Sequence, residues 1–188
     1  MIKSMNIAWW VKRWSELRPN KTAVIFEGDH LSYLELHQKV NQTCCWLQSQ
    51  GIEKGDRVAV MLGNCPEFLE LFLACSRAGA IFVPINYRLA AAELEYTLMN
   101  ARPRLFVFGE EFADSVTGLA LNNRPFFILL AGVGRSTAAR ANNIQDYRSE
   151  TAACGGQQQF LTDLMEPADP EEAHVIMYTS GTTGQPKG

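Results

Sequence analysis

A parallel α/β sheet covered by helices on both faces is the fold class that this sequence predicts, on three observations. Apolar runs without polar alternation recur along the chain: Arg57-Val-Ala-Val-Met-Leu62, Ala80-Ile-Phe-Val-Pro-Ile85, Arg104-Leu-Phe-Val-Phe108 and Pro125-Phe-Phe-Ile-Leu-Leu130. Strands buried on both faces read in this way. Strand and helix patterns alternate four times, which is the signature of a layered parallel sheet. The helix that contains Phe68, Leu69, Leu71, Phe72, Leu73, Ala74 and Cys75 is apolar on almost every side, so it should lie between layers.

Taken in order, Ile7, Trp10, Val11, Trp14 and Leu17 line one side of a first helix, and this stripe is expected to pack on the protein's own body. Thr22-Ala-Val-Ile-Phe26 and His30-Leu-Ser-Tyr33 flank Glu27-Gly-Asp29 and read as a small hairpin. Ser32 and Glu35 form a capping box that opens a helix running to Gly51. On that helix Tyr33, Leu36, Val40, Cys44 and Leu47 form one stripe, with His37 at its edge as a packed or hydrogen-bonded side chain. Asn64-Cys-Pro-Glu67 reads as a second capping signal.

In the apolar helix that follows, only Glu70 and Arg77 mark a polar stripe, and Gly79 ends it. Leu94, Leu98 and Ala101 suggest a short helix, and residues 110–121 another. From Gly132 to Gln159 the composition turns polar and small, which reads as a long surface connection. Asp169-Pro-Glu-Glu172 turns the chain into a last strand, Val175-Ile-Met-Tyr178.

Composition excludes several functions. The chain has 188 residues, 47% of them hydrophobic and 20% charged, the balance of an ordinary globular protein. Its net charge of −3 gives no electrostatic case for nucleic acid. The five cysteines (44, 45, 65, 75 and 154) form no Cys-x-x-Cys, and the histidines at 30, 37 and 174 stand at no zinc-ligand spacing. We therefore expect no metal site, reduced thiols and a cytoplasmic location, with peripheral membrane association open through the first helix. No run approaches the about 18 apolar residues of a membrane span. Lys12 and Arg13 interrupt the first apolar stretch, so it is not a secretory signal.

The most informative segment is the last, Tyr178-Thr-Ser-Gly-Thr-Thr-Gly-Gln-Pro-Lys-Gly188. A strand empties into a loop of glycines, hydroxyls and one cation. Glycines let backbone N–H groups approach an anion closely, hydroxyls add donors, and Lys187 offers a charge-assisted contact to phosphate. It is not a Walker A loop: counting from Gly181, Pro186 holds the second glycine's place and Gly188 the hydroxyl's. A nucleotide hydrolase is disfavoured on that ground. The segment instead resembles the phosphate loop of the adenylate-forming ligases, Tyr-Thr-Ser-Gly-Thr-Thr-Gly-x-Pro-Lys-Gly, at all ten specified positions. Leu31-Ser-Tyr-Leu-Glu-Leu36 and Leu73-Ala-Cys-Ser-Arg-Ala-Gly-Ala-Ile-Phe-Val-Pro-Ile-Asn86 are similar to that superfamily's first two core motifs. Pro84-Ile-Asn-Tyr-Arg-Leu89, with Glu93, Leu94 and Tyr96, resembles its acyl-CoA synthetase branch. Ala90 departs from it, standing where a Thr or Ser cap is expected.

The resemblance implies one unit over residues 1–188, the N-terminal part of an adenylate-forming domain that ends at the phosphate loop 178–188. It implies ATP-dependent joining of a carboxylic acid to coenzyme A through an acyl-adenylate, with Mg²⁺ sharing the phosphate charge. Thr179, Ser180, Thr182 and Thr183 would supply hydroxyls, Gly181 and Gly184 backbone N–H groups, and Lys187 the cation. The family's adenine, ribose, Mg²⁺-associated and catalytic-lysine positions come later in sequence, so no catalytic residue is expected in this chain and it should be inactive alone. The alternative is a non-catalytic phosphate- or partner-binding module that self-associates through an exposed sheet edge near Val175–Tyr178.

Overall fold

The computed structural model describes residues 7–119, 129–133, 144–156, 172–179 and 187–188. Helix α1 (Ile7–Leu17) leads to a hairpin of β1 (Thr22–Phe26) and β2 (Asp29–Ser32). Both turn residues have positive φ, 50° at Glu27 and 90° at Gly28, as a two-residue hairpin turn of matching twist requires. Then come α2 (Tyr33–Ser49), β3 (Arg57–Met61), α3 (Pro66–Ala78), β4 (Ile81–Pro84), α4 (Ala91–Ala101) and β5 (Leu105–Gly109). After a 3₁₀ turn the chain forms α5 (Ala113–Thr117), β6 (Leu129–Val133), β7 (Gln145–Asp146) and α6 (Tyr147–Ala153).

The second sheet is parallel throughout, in the order β4-β3-β5-β6-β7. Successive strand residues feed opposite faces. Val58, Val60, Leu105 and Val107 join Trp46, Leu47 and Leu71 of α2 and α3, whereas Ala59, Met61, Phe106 and Phe108 join Leu94 and Leu98 of α4. This is the doubly covered parallel sheet that the apolar runs predict.

The capping box at Ser32 is present: Glu35 N–H donates to Ser32 Oγ at 3.2 Å and Ser32 N–H to Glu35 Oε2 at 2.8 Å. His37 takes the packed role expected of it, 3.2 Å from Asn41 Nδ2, with burial first and Arg77 second lowering its pKa to about 4. At α3 the expected cap shifts by one residue. Cys65 occupies it without a side-chain bond, and Pro66 begins the helix with its preset φ. At Ala90 the side-chain half of a capping box is missing, but Glu93 Oε2 accepts the Ala90 N–H at 2.9 Å.

α3 lies buried as expected, and its polar stripe is buried with it: Glu70 faces Lys39 Nζ at 3.4 Å and accepts from Tyr147 Oη at 3.2 Å, and Arg77 donates to Asn41 Oδ1 at 2.6 Å. Three further expectations are corrected. The polar stretch 132–159 is not only surface connection. It contributes β7 and α6, held by Tyr147, which is 1% exposed, and by Arg148, whose Nε donates to Glu67 Oε1 at 2.8 Å. The strand expected at 125–130 is found at Leu129–Val133, with 125–128 outside the described residues, and the helix expected at 110–121 is a 3₁₀ turn followed by a short α5.

Gly79 closes α3 in the left-handed region, with φ 69° and its N–H on Cys75 O. A Cβ there would also stand 3.0 Å from Lys54 Cγ. Gly79→Ala is therefore expected to cost about 1–2 kcal/mol, read as a lower urea midpoint with an unchanged slope.

Candidate phosphate loop at the carboxyl edge of the sheet

The loop is positioned by a short parallel pairing on the free edge of β4. Phe82 N–H donates to His174 O at 3.0 Å, and Ile176 N–H returns to Phe82 O at 3.0 Å. Only one bridge forms, Phe82 with Val175, where a four-residue strand was expected. Proline supplies the reason. Ile81 and Ile85 donate toward β3, so Phe82 and Pro84 face the edge segment, and Pro84 has no N–H to extend the ladder.

Upstream, Glu172 meets Lys54 Nζ at 2.7 Å, an exposed pair that directs the segment more than it stabilises it. Val175 packs into the α2–α3 face and Ile176 into the α4 face, so this stretch is apolar on both sides because both are covered. The patch expected from an uncovered strand is reduced to Met177, which is 68% exposed.

The segment runs parallel to β4 and so delivers Tyr178 and Thr179 to the carboxyl ends of the strands, where open α/β sheets place their ligands. Thr179 and Lys187 then exchange two backbone hydrogen bonds, N–H to O at 2.9 Å and 3.0 Å, closing the mouth of the loop 180–186. Both residues are exposed, and their backbones are committed to each other. Of the residues expected to hold phosphate, the structure brings together Thr179 and Lys187. Ser180, Gly181, Thr182, Thr183 and Gly184 lie outside the described residues.

Two supports of this mouth escaped sequence reasoning. Tyr178 Oη donates to Asn100 Oδ1 at 2.6 Å, tying the loop's first turn to the end of α4. Burial, with Tyr96 nearby, raises the Tyr178 pKa, so the phenol stays a donor. Gly188 lies on the face of the same ring: a Cβ there would sit 2.8 Å from Cε1 and Cζ. The motif's last glycine is thus a steric requirement of its first tyrosine. His174 is half-buried with its pKa lowered by burial, and its carbonyl serves the sheet pairing, which leaves it structural.

A parallel sheet covered on both faces defines a layered α/β domain, and the chain leaves it at the carboxyl edge through Tyr178 and Thr179. Comparison narrows that class. The AMP-binding enzyme family matches residues 11–188, and the chain belongs to that family. It is 33% identical to a crotonobetaine/carnitine–CoA ligase of Citrobacter koseri over 93% of this chain and 34% of the relative. It is 32% identical to a feruloyl-CoA synthase of Amycolatopsis over all of this chain and 33% of the relative. The chain therefore spans about a third of the length of these relatives.

Among solved structures, the anthranilate CoA ligase AuaEII in complex with anthranoyl-AMP superposes with a TM-score of 0.83 at 24% identity, over 99% of this chain and 34% of that one. That likeness is one of fold. A fatty acyl CoA synthetase of Mycobacterium tuberculosis gives 0.75 at 25% identity, over 97% and 34%.

Proposed function

We propose that this chain is the phosphate-holding N-terminal part of an ATP-dependent acyl-CoA synthetase. The reaction joins a carboxylic acid to ATP, releasing pyrophosphate and forming an acyl-adenylate, and then passes the acyl group to the thiol of coenzyme A. The observation that carries the reading is the double hydrogen bond between Thr179 and Lys187 at the carboxyl edge of the sheet, which closes a loop of hydroxyls and glycines beside a cation. The two relatives named above, a CoA ligase and a CoA synthase, support the reaction class.

The chain's own contribution is to position and neutralise the triphosphate while the acid attacks the α-phosphorus. Lys187 would meet the β- and γ-phosphates as a point charge. Thr179, Ser180, Thr182 and Thr183 would donate hydroxyls, and Gly181 and Gly184 would admit backbone N–H groups. The donor set suits an oxyanion. Mg²⁺, when bound with the nucleotide, would share the neutralisation of the phosphate charge. No residue of this chain is assigned a proton-transfer or acyl-transfer role, and the chain alone is inactive in this reading. A cytoplasmic location fits its five free thiols, and among the described residues no helix is long and apolar enough to cross a membrane.

Acid-dependent release of pyrophosphate from ATP tests the proposal. None is expected from the 188-residue chain, and release is expected once the chain is continued through the remaining two thirds of its relatives' length. Release by the chain alone would overturn its inactivity. Silence of the longer polypeptide towards aromatic, fatty and betaine acids alike would overturn the ligase reading. A non-catalytic binding module loses its main motive in the structure, because Val175 and Ile176 are packed rather than exposed.

A further inference from the structure

Helix α1 turns its small side to the body of the protein and its large side away. Ala8, Val11 and Ser15 are the buried residues, so the helix approaches the core through a narrow strip. Of the stripe expected to pack there only Val11 does so, and the rest is exposed: Ile7 by 43%, Trp10 by 52%, Trp14 by 37% and Leu17 by 52%. Spaced i, i+3, i+7 and i+10, these four stand on one side of the helix. Single exposed apolar residues are ordinary, but a contiguous aromatic stripe marks a contact surface.

Charge identifies the partner. Residues 1–21 hold five Lys and Arg against one acidic residue, whereas the remaining chain holds twelve against nineteen. Three of the basic residues, Arg13, Arg18 and Lys21, flank Trp14 and Leu17 along the chain. Arg13 and Arg18 are exposed, and Lys21 Nζ lies 5.6 Å from the centroid of the Trp14 ring, which stacks on Tyr33 at 5.7 Å. Trp14 is therefore held in place with a cation over its ring. Area argues against a second protein: four partly exposed side chains on an 11-residue helix offer roughly 400 Å². A stable protein interface takes about 800 Å² from each partner.

We propose that this face of α1 docks the protein on an anionic lipid surface, with the Trp10 and Trp14 rings at headgroup depth and Arg13, Arg18 and Lys21 against lipid phosphates. Tryptophan suits that boundary because its ring is apolar and its N–H polar, and basic flanks draw such a helix to anionic headgroups. The proposal is independent of the phosphate-loop reading.

Flotation and tryptophan fluorescence of the 188-residue chain, with vesicles of phosphatidylcholine alone or mixed with phosphatidylglycerol, provide the test. Binding and a blue shift are expected with the mixed vesicles only, weakening as salt rises. Arg18→Glu/Lys21→Glu should weaken binding by at least about 30-fold. Trp10→Ser/Trp14→Ser should abolish the blue shift while the far-ultraviolet circular dichroism is retained. A folded chain that ignores anionic vesicles, or binds neutral ones equally, overturns the proposal. So does a dimer in sedimentation equilibrium that Trp10→Ser/Trp14→Ser dissolves, since a second copy would then cover the stripe. Binding that vanishes when the chain is continued to its relatives' full length also overturns it, by assigning the stripe to the body of the longer protein.

Discussion

Trp46→Ala is expected to remove about 3–5 kcal/mol of folding stability, a large share of the about 5–15 kcal/mol that holds a domain together. Trp46 is fully buried on α2, and its ring meets Tyr147 edge-on at 5.3 Å. Tyr147 in turn takes Thr43 Oγ1 at 2.7 Å and donates to Glu70 at 3.2 Å, so this one ring stands where α2, α3 and α6 converge. Removing it leaves a cavity between three helices that cannot all collapse into it. Trp46→Phe should behave differently. The indole Nε1 is buried without a hydrogen-bond partner among the described residues, so the phenyl ring sheds an unsatisfied donor while keeping most of the contact. Its cost should stay below about 1.5 kcal/mol. Urea unfolding of both variants decides the matter, and equal losses would show that indole size, not the cavity at the three-helix junction, sets the cost.

That junction also shows where sequence reasoning reached its limit. The strands β3, β4 and β5 announce themselves because both faces of each are buried and nearly every residue is apolar. α2 announces itself because its capping box is local, two residues three apart that satisfy one another. α6 gives no such signal. Its helix-start information lies in Asp146, whose carboxylate accepts from Arg148 N–H and Ser149 Oγ, and its core contribution is one tyrosine among polar neighbours. What fixes it is non-local: Tyr147 to Thr43 and Glu70, and Arg148 to Glu67. The same pairs explain why Glu70 is buried, with burial raising its pKa, where spacing alone marks a polar stripe. The outward face of α1 was illegible for a related reason. Periodicity finds an apolar side, but the small residues Ala8 and Ser15 choose which side packs.

The candidate site was legible as chemistry and not as geometry. Glycines, hydroxyls and a lysine after an apolar run suggest the anion loop proposed above, and what the structure adds is that Thr179 and Lys187 pair through their backbones. Which edge of the sheet carries it depends on Phe82, 93 residues before its partner Val175, and the extent of the pairing depends on Pro84. The fit of Gly188 against Tyr178, and of Tyr178 against Asn100, is tertiary as well.

Lys187→Ala should weaken binding of Mg-pyrophosphate and Mg-ATP to the chain by about 10- to 150-fold, the range of a hydrogen bond to a charged group. The substitution is a clean one. Both backbone atoms that close the loop belong to residue 187 itself and survive the change, so the mouth at Thr179 should hold. The side chain is exposed, and no salt bridge is recorded for it among the described residues, so its loss should leave the urea midpoint within about 0.5 kcal/mol of the parent. Pyrophosphate is the sharper probe because it asks only for the phosphate contacts of this loop. Lys187→Arg keeps the charge but replaces a compact ammonium by a planar fork, and should recover part of the affinity. The loss should shrink as salt rises, since an exposed cation is screened. Isothermal titration reads all three quantities. Unchanged affinity for both ligands in Lys187→Ala would remove the cation from the phosphate site, and the hydroxyls with their glycine-bordered backbone would then have to carry it alone.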